Sequence, residues 1–128
     1  MSALLFALTA LGEMAIGVLV AAFPSLAALL LGAPLDGAGL FAARIVGVAA
    51  FALGLAWWRA RGEPGGVGRH APDFIVYNVG AGLVFALAAK AAAEPVIPAV
   101  LAAVHVGTGV LFAIALAGAR SRPTGATE

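Results

Sequence analysis

Four apolar stretches, at about residues 2–23, 37–58, 73–93 and 96–117, take up almost the whole chain. Each approaches or exceeds the ~20 residues that a helix needs to cross a hydrocarbon core of ~30 Å. Nothing else in the sequence restricts the fold so strongly. A soluble chain of 128 residues needs much of its length as polar surface, yet 63% of this one is hydrophobic and only 10% charged. A mean hydropathy of +1.10 leads to the same conclusion. The expected fold is all-α: an integral membrane, antiparallel four-helix bundle forming a single domain over 1–120, with lipid as its main partner.

The connections refine that picture. Pro24 suits the first turn of a short helix after span one, and Gly32, Pro34, Asp36 and Gly37 punctuate its end, which predicts a short interfacial helix. The competing arrangement is a single long first helix kinked at Pro24. Between Arg59 and Pro72 the segment RARGEPGGVGRH reads as a flexible, water-exposed loop, with Trp57 and Trp58 at the membrane boundary and Pro72 and Asp73 opening the third helix. The connection between residues 90 and 98 is short, so the last two helices should form a tight hairpin.

Positive charge sets the orientation. Arg59, Arg61, Arg69, Arg120 and Arg122 share one side and Lys90 lies on the other, so both termini are expected in the cytoplasm of a cell whose inner (plasma) membrane holds the protein. The tail 121–128 reads as disordered. Glu13 inside the first stretch, and the lack of a basic leader, favour a retained helix over a cleaved signal peptide. A net charge of +1, with no basic stripe, argues against nucleic acid as a partner. The absence of cysteine excludes thiolate chemistry and disulfides. GEPGGVG follows no strand and precedes no lysine, so it is a linker and not a phosphate-binding loop. No cofactor motif is present.

Ionisable groups in lipid are costly, at roughly 2.5–3.5 kcal/mol each on insertion scales, so each demands a partner. The spans contain three: Glu13, Arg44 and His105, joined by neutral Tyr77 and Asn78. At ~1.5 Å per residue, Glu13 and His105 come out about 16 Å above the cytoplasmic boundary and Arg44 about 20 Å, with Tyr77 and Asn78 at roughly 8 Å. The sequence thus predicts a Glu13, Arg44 and His105 layer in the bundle interior, above an entrance formed by Asn78 and Tyr77. Gly17, Gly82 and Gly109 follow Glu13, Asn78 and His105 by four residues, so the polar faces are also small-residue faces fit for close packing. Ala43, Gly47, Ala50 and Gly54 form a similar stripe beside Arg44.

Those residues admit several uses. The plainest is a buried Glu13–Arg44 ion pair that fixes helix order. The alternatives are an Arg44 site for a head group, carbonyl or anion, and proton handling by Glu13. His105 is either a hydrogen-bonded packing residue or an acid or base beside a carboxylate. A metal or haem is disfavoured, because His70 belongs to the loop and Arg44 would repel a cation. Asn78 and Tyr77 suit interhelical hydrogen bonding.

ARIVG early in span two, GLAWW at its end, YN early in span three and a histidine inside span four resemble small bacterial four-helix membrane proteins, loosely those of the DoxX-like superfamily. That resemblance implies a small membrane subunit, in the namesake case one accompanying a quinone-linked sulfur oxidoreductase. The functions it leaves open are an accessory or assembly subunit of a membrane complex, an enzyme or carrier for a lipid, quinone or other small molecule, and a self-associating channel or transporter.

Overall fold

A computed structural model describes residues 3–32, 34–92 and 94–120. Five helices follow one another: α1 (Ala3–Ala22), α2 (Pro24–Leu30), α3 (Gly37–Ala60), α4 (Gly66–Ala91) and α5 (Val96–Arg120). Four of them, all except α2, are long and apolar enough to cross a membrane. The expected tail at 121–128, with Arg122, lies outside the described residues.

Each boundary has a local cause. Pro24 has no N–H to offer the Val20 carbonyl, so α1 ends and α2 restarts with proline in its first turn, Phe23 between them at φ −127° and ψ 58°. The separate short helix is therefore present, and the kinked single helix is not. Gly32, at φ +65°, turns the chain out of α2. Asp36 caps α3, its Oδ1 accepting the Gly39 N–H at 2.8 Å.

The third span departs from expectation. It begins at Gly66, not Asp73, and the supposed long loop shrinks to residues 61–65. Gly65, at φ +69°, reverses the chain in a left-handed conformation that only glycine adopts cheaply. The Arg69–Glu63 ion pair at 3.0 Å ties the new helix to the turn, and Gly66 packs against the Ala60 carbonyl. Pro72 consequently lies inside α4 rather than at its start. The tryptophan pair also divides: Trp57 turns inward and is fully buried, while Trp58 stays half-buried beneath the Arg61 guanidinium, 3.5 Å from the ring centroid.

The helices associate as two close pairs, α1 with α3 and α4 with α5. Glycine makes each pair close. A Cβ on Gly54 would lie 2.8 Å from the Ala10 carbonyl oxygen, and one on Gly82 would lie 3.2 Å from that of Ala102. Without a hydrophobic force between helices in lipid, this close backbone approach is the main source of attraction. The Gly47 and Gly54 stripe of α3 is therefore turned toward α1 and not outward.

The two pairs meet through large side chains. Phe6 of α1, Trp57 of α3, Phe74 of α4 and Phe112 of α5 form a buried aromatic cluster. Phe74 is its hub, with ring centroids 3.6 Å from Trp57, 4.5 Å from Phe112 and 4.7 Å from Phe6. Buried positions on α1 (6, 10, 13, 17) and α5 (98, 102, 105, 109, 112) alternate in steps of four and three. That is the seam spacing of helices packed at a shallow angle. Leu4, Leu8, Phe41, Val76, Leu83, Leu87 and Ile114 point outward, as lipid-facing residues do.

Candidate functional site

The α1 seam that buries Phe6 and Ala10 next presents Glu13, and the α5 seam that buries Phe112 and Gly109 next presents His105. Between them runs α4, whose Tyr77 and Asn78 stand one turn beyond the aromatic hub Phe74. These four side chains come together. The Tyr77 hydroxyl donates to Glu13 Oε2 at 2.7 Å, joining α4 to α1. Asn78 Oδ1 lies 3.1 Å from His105 Nδ1, joining α4 to α5, and the Asn78 amide donates to the Phe74 carbonyl at 2.9 Å.

The layer is buried and tightly lined. Glu13 is 5% exposed, Asn78 1% and His105 9%. The His105 ring stacks on Phe85 at 5.4 Å and meets Tyr77 edge-on at 6.0 Å, while Tyr77 also packs edge-on against Trp57 at 5.4 Å. Among the described residues no buried side-chain nitrogen or oxygen lacks a hydrogen-bond partner. Two titratable side chains, one from α1 and one from α5, thus reach adjacent residues of α4. Chemically the arrangement provides a carboxyl bonded to a phenol and an imidazole bonded to an amide. Among the described residues no lysine or arginine side chain is part of it.

Arg44 lies elsewhere, which corrects the predicted Glu13, Arg44 and His105 layer. Its side chain is exposed on the outer side of α3, and Nη1 donates to the Ala21 carbonyl at 2.7 Å. Gly47 packs on Ala21 and Gly54 on Ala10 and Met14, so the antiparallel register places Arg44 beside the end of α1. From Glu13 to Ala21 is eight residues of helix, ~12 Å of rise. The Glu13–Arg44 ion pair is absent. Arg44 instead supplies an N–H to a carbonyl in the last turn of α1, where helical partners run out at the Pro24 break.

Tyr77 and Asn78 are corrected in depth for a related reason. Starting α4 at Gly66 lengthens the helix by seven residues, or ~10 Å, which lifts both side chains from a supposed entrance to the level of Glu13 and His105. The aromatic lining, Phe74, Trp57 and Phe85, was not anticipated. Its trace in the sequence is the spacing of Phe74, Tyr77, Asn78 and Phe85, which share one face of a helix. Among the described residues no group of three or more His, Cys, Asp or Glu side chains is placed to hold a metal ion.

Comparison of the chain with family models, with curated proteins and with solved structures yields no match.

Proposed function

We propose that this multi-pass membrane protein is an accessory or assembly subunit of a larger membrane complex. The observation that carries the reading is the mutual engagement of the interior polar groups: Tyr77 with Glu13 and Asn78 with His105. Those bonds hold α1, α4 and α5 in register and leave the lipid-facing surface as the part available for action. The connections at 61–65 and 92–95 are too short to form a domain outside the bilayer. The DoxX-like resemblance of ARIVG, GLAWW and YN makes a redox-linked complex the first kind to examine. A bacterial inner membrane with cytoplasmic termini fits the gathering of Arg59, Arg61 and Arg69 at one end and Lys90 at the other.

The test is brief in-membrane crosslinking at native abundance followed by affinity purification of the full chain. A stoichiometric membrane polypeptide recovered with it is the expected result. Recovery of the chain alone at its own mass overturns the reading.

A second reading rests on the convergence of Glu13 and His105 upon adjacent residues of α4. A carboxyl and an imidazole so placed suit an enzyme or carrier for a lipid, quinone or other small molecule. Loss of a co-purified molecule from a normally folded Glu13→Gln variant favours it. Self-association as a channel or transporter has less support, since Gly47 and Gly54 face α1 within the same chain.

A further inference from the structure

Arg44 is the one arginine on the outer side of a described spanning helix away from the arginine-rich end, and its surroundings answer little of its charge. A guanidinium carries five N–H donors and keeps its positive charge in any protein environment. One of those donors is bonded, to the neutral Ala21 carbonyl at 2.7 Å. Among the described residues the ion pairs are Arg69–Glu63 and His70–Asp73, both at the opposite end of the molecule. Asp36, the acidic residue nearest in sequence, directs Oδ1 to the Gly39 N–H at the start of α3.

Alongside Arg44 runs an apolar furrow of ≈ 370 Å³, lined by Ile45, Val48, Ala49 and Ala52. Arg44, Val48 and Ala52 stack one above another at four-residue spacing, and the two alanines hollow the surface beside them. From Arg44 to Ala52 the furrow extends ~12 Å along the helix axis, toward and past the middle of the ~30 Å hydrocarbon core. Arg44 itself lies seven residues, ~10 Å, inside the start of α3, and its side chain reaches to the last turn of α1. A cation at the rim and an apolar trough running inward from it have the polarity of a phospholipid.

We propose that this furrow holds one anionic phospholipid, its phosphate on the unbonded N–H groups of Arg44 and one acyl chain along Val48, Ala49 and Ala52. A phosphate supplies the acceptors and the negative charge that Ala21 does not. A second protein helix would have to bring a carboxylate to the same depth, whereas a lipid of this leaflet brings its phosphate with the chain attached.

Native mass spectrometry of the full chain in mild detergent tests the site, with phosphatidylglycerol and phosphatidylcholine of identical acyl chains as probes. Glycerol phosphate serves as the head group without chains. The wild type should retain one phosphatidylglycerol about tenfold more than phosphatidylcholine, whose choline ammonium offsets the phosphate charge that Arg44 meets. Arg44→Gln should erase the preference. Ala49→Phe, which fills the trough while leaving Arg44 and its Ala21 bond in place, should lower retention of both lipids, and it decides the matter if Arg44→Gln does not fold. Equal retention of the two lipids by the wild type overturns the proposal, as does undiminished binding by Ala49→Phe. Glycerol phosphate displacing the lipid at equal concentration would mean a bare anion site, and a dimer lost on Ala49→Phe would mean a second copy on this face. Either result also overturns it.

Discussion

Gly17 and Gly47 face each other across the α1–α3 seam, and a Cβ on either would lie 2.7 Å from the other's carbonyl oxygen. Ordinary contact begins near ~3.5 Å, and a Cβ on Gly47 presses still closer on the Ala21 backbone nitrogen, so Gly47→Ala must open the seam by at least ~0.8 Å. Both sides are backbone, and no side chain can swing away to relieve the overlap. A gap of that size forfeits a quarter to a half of each dispersion contact, at ~0.1–0.2 kcal/mol per atom pair. Over a few tens of pairs the loss is about 1–2 kcal/mol. No hydrophobic transfer term adds to it, because lipid tails are as apolar as the seam. Alanine also gains up to ~1 kcal/mol of helix propensity over glycine, which would mask much of the cost. Gly12→Ala is the reference that removes this term, since a Cβ there meets nothing within 4 Å. Equilibrium unfolding by added SDS in mixed micelles, followed by the fluorescence of Trp57 and Trp58, should place Gly47→Ala about 1–2 kcal/mol below Gly12→Ala. The Gly17→Ala/Gly47→Ala double variant should lose less than the sum of the singles, because the first opening makes room for the second methyl. Equal stability of Gly47→Ala and Gly12→Ala would refute glycine-mediated contact as the basis of the pair.

Tyr77→Phe removes the donor to Glu13 Oε2 and should cost about 0.6–1.7 kcal/mol in the same assay, the range for interhelical hydrogen bonds in membranes; no loss would mean that the bond does not hold α4 to α1. Gly65→Ala should cost about 1–2 kcal/mol through its positive φ alone, while Gly62→Ala, with ordinary φ and a nearest contact at 3.6 Å, should be close to neutral; equal effects would contradict the left-handed turn between α3 and α4. The chain has no cysteine, so single cysteines at Glu63 and Glu94 can be labelled in intact spheroplasts without background. Glu94 should react with an impermeant reagent and Glu63 only after lysis, and the reverse pattern would invert the orientation.

The spans were legible because insertion is a local property: an apolar stretch of sufficient length crosses lipid whatever its neighbours do. The α2 boundary was equally local, since Pro24 withholds its N–H from Val20 in any tertiary setting. Glu13, Asn78 and His105 also stood out, because polar groups in lipid are too costly to go unpartnered. Their partners were another matter. Whether Glu13 meets Arg44 or Tyr77 depends on helix rotation and axial register, and these follow from which glycines nest against which backbones. The Gly17–Gly47 and Gly54–Ala10 contacts carry Arg44 ~12 Å from Glu13, and the Gly65 turn starts α4 two turns early, bringing Tyr77 level with it. The amino-acid sequence by itself determined how many times the chain crosses and which side chains need partners in lipid. Only the tertiary structure decided who those partners are, because small displacements along and about helix axes, invisible to hydropathy, choose among them.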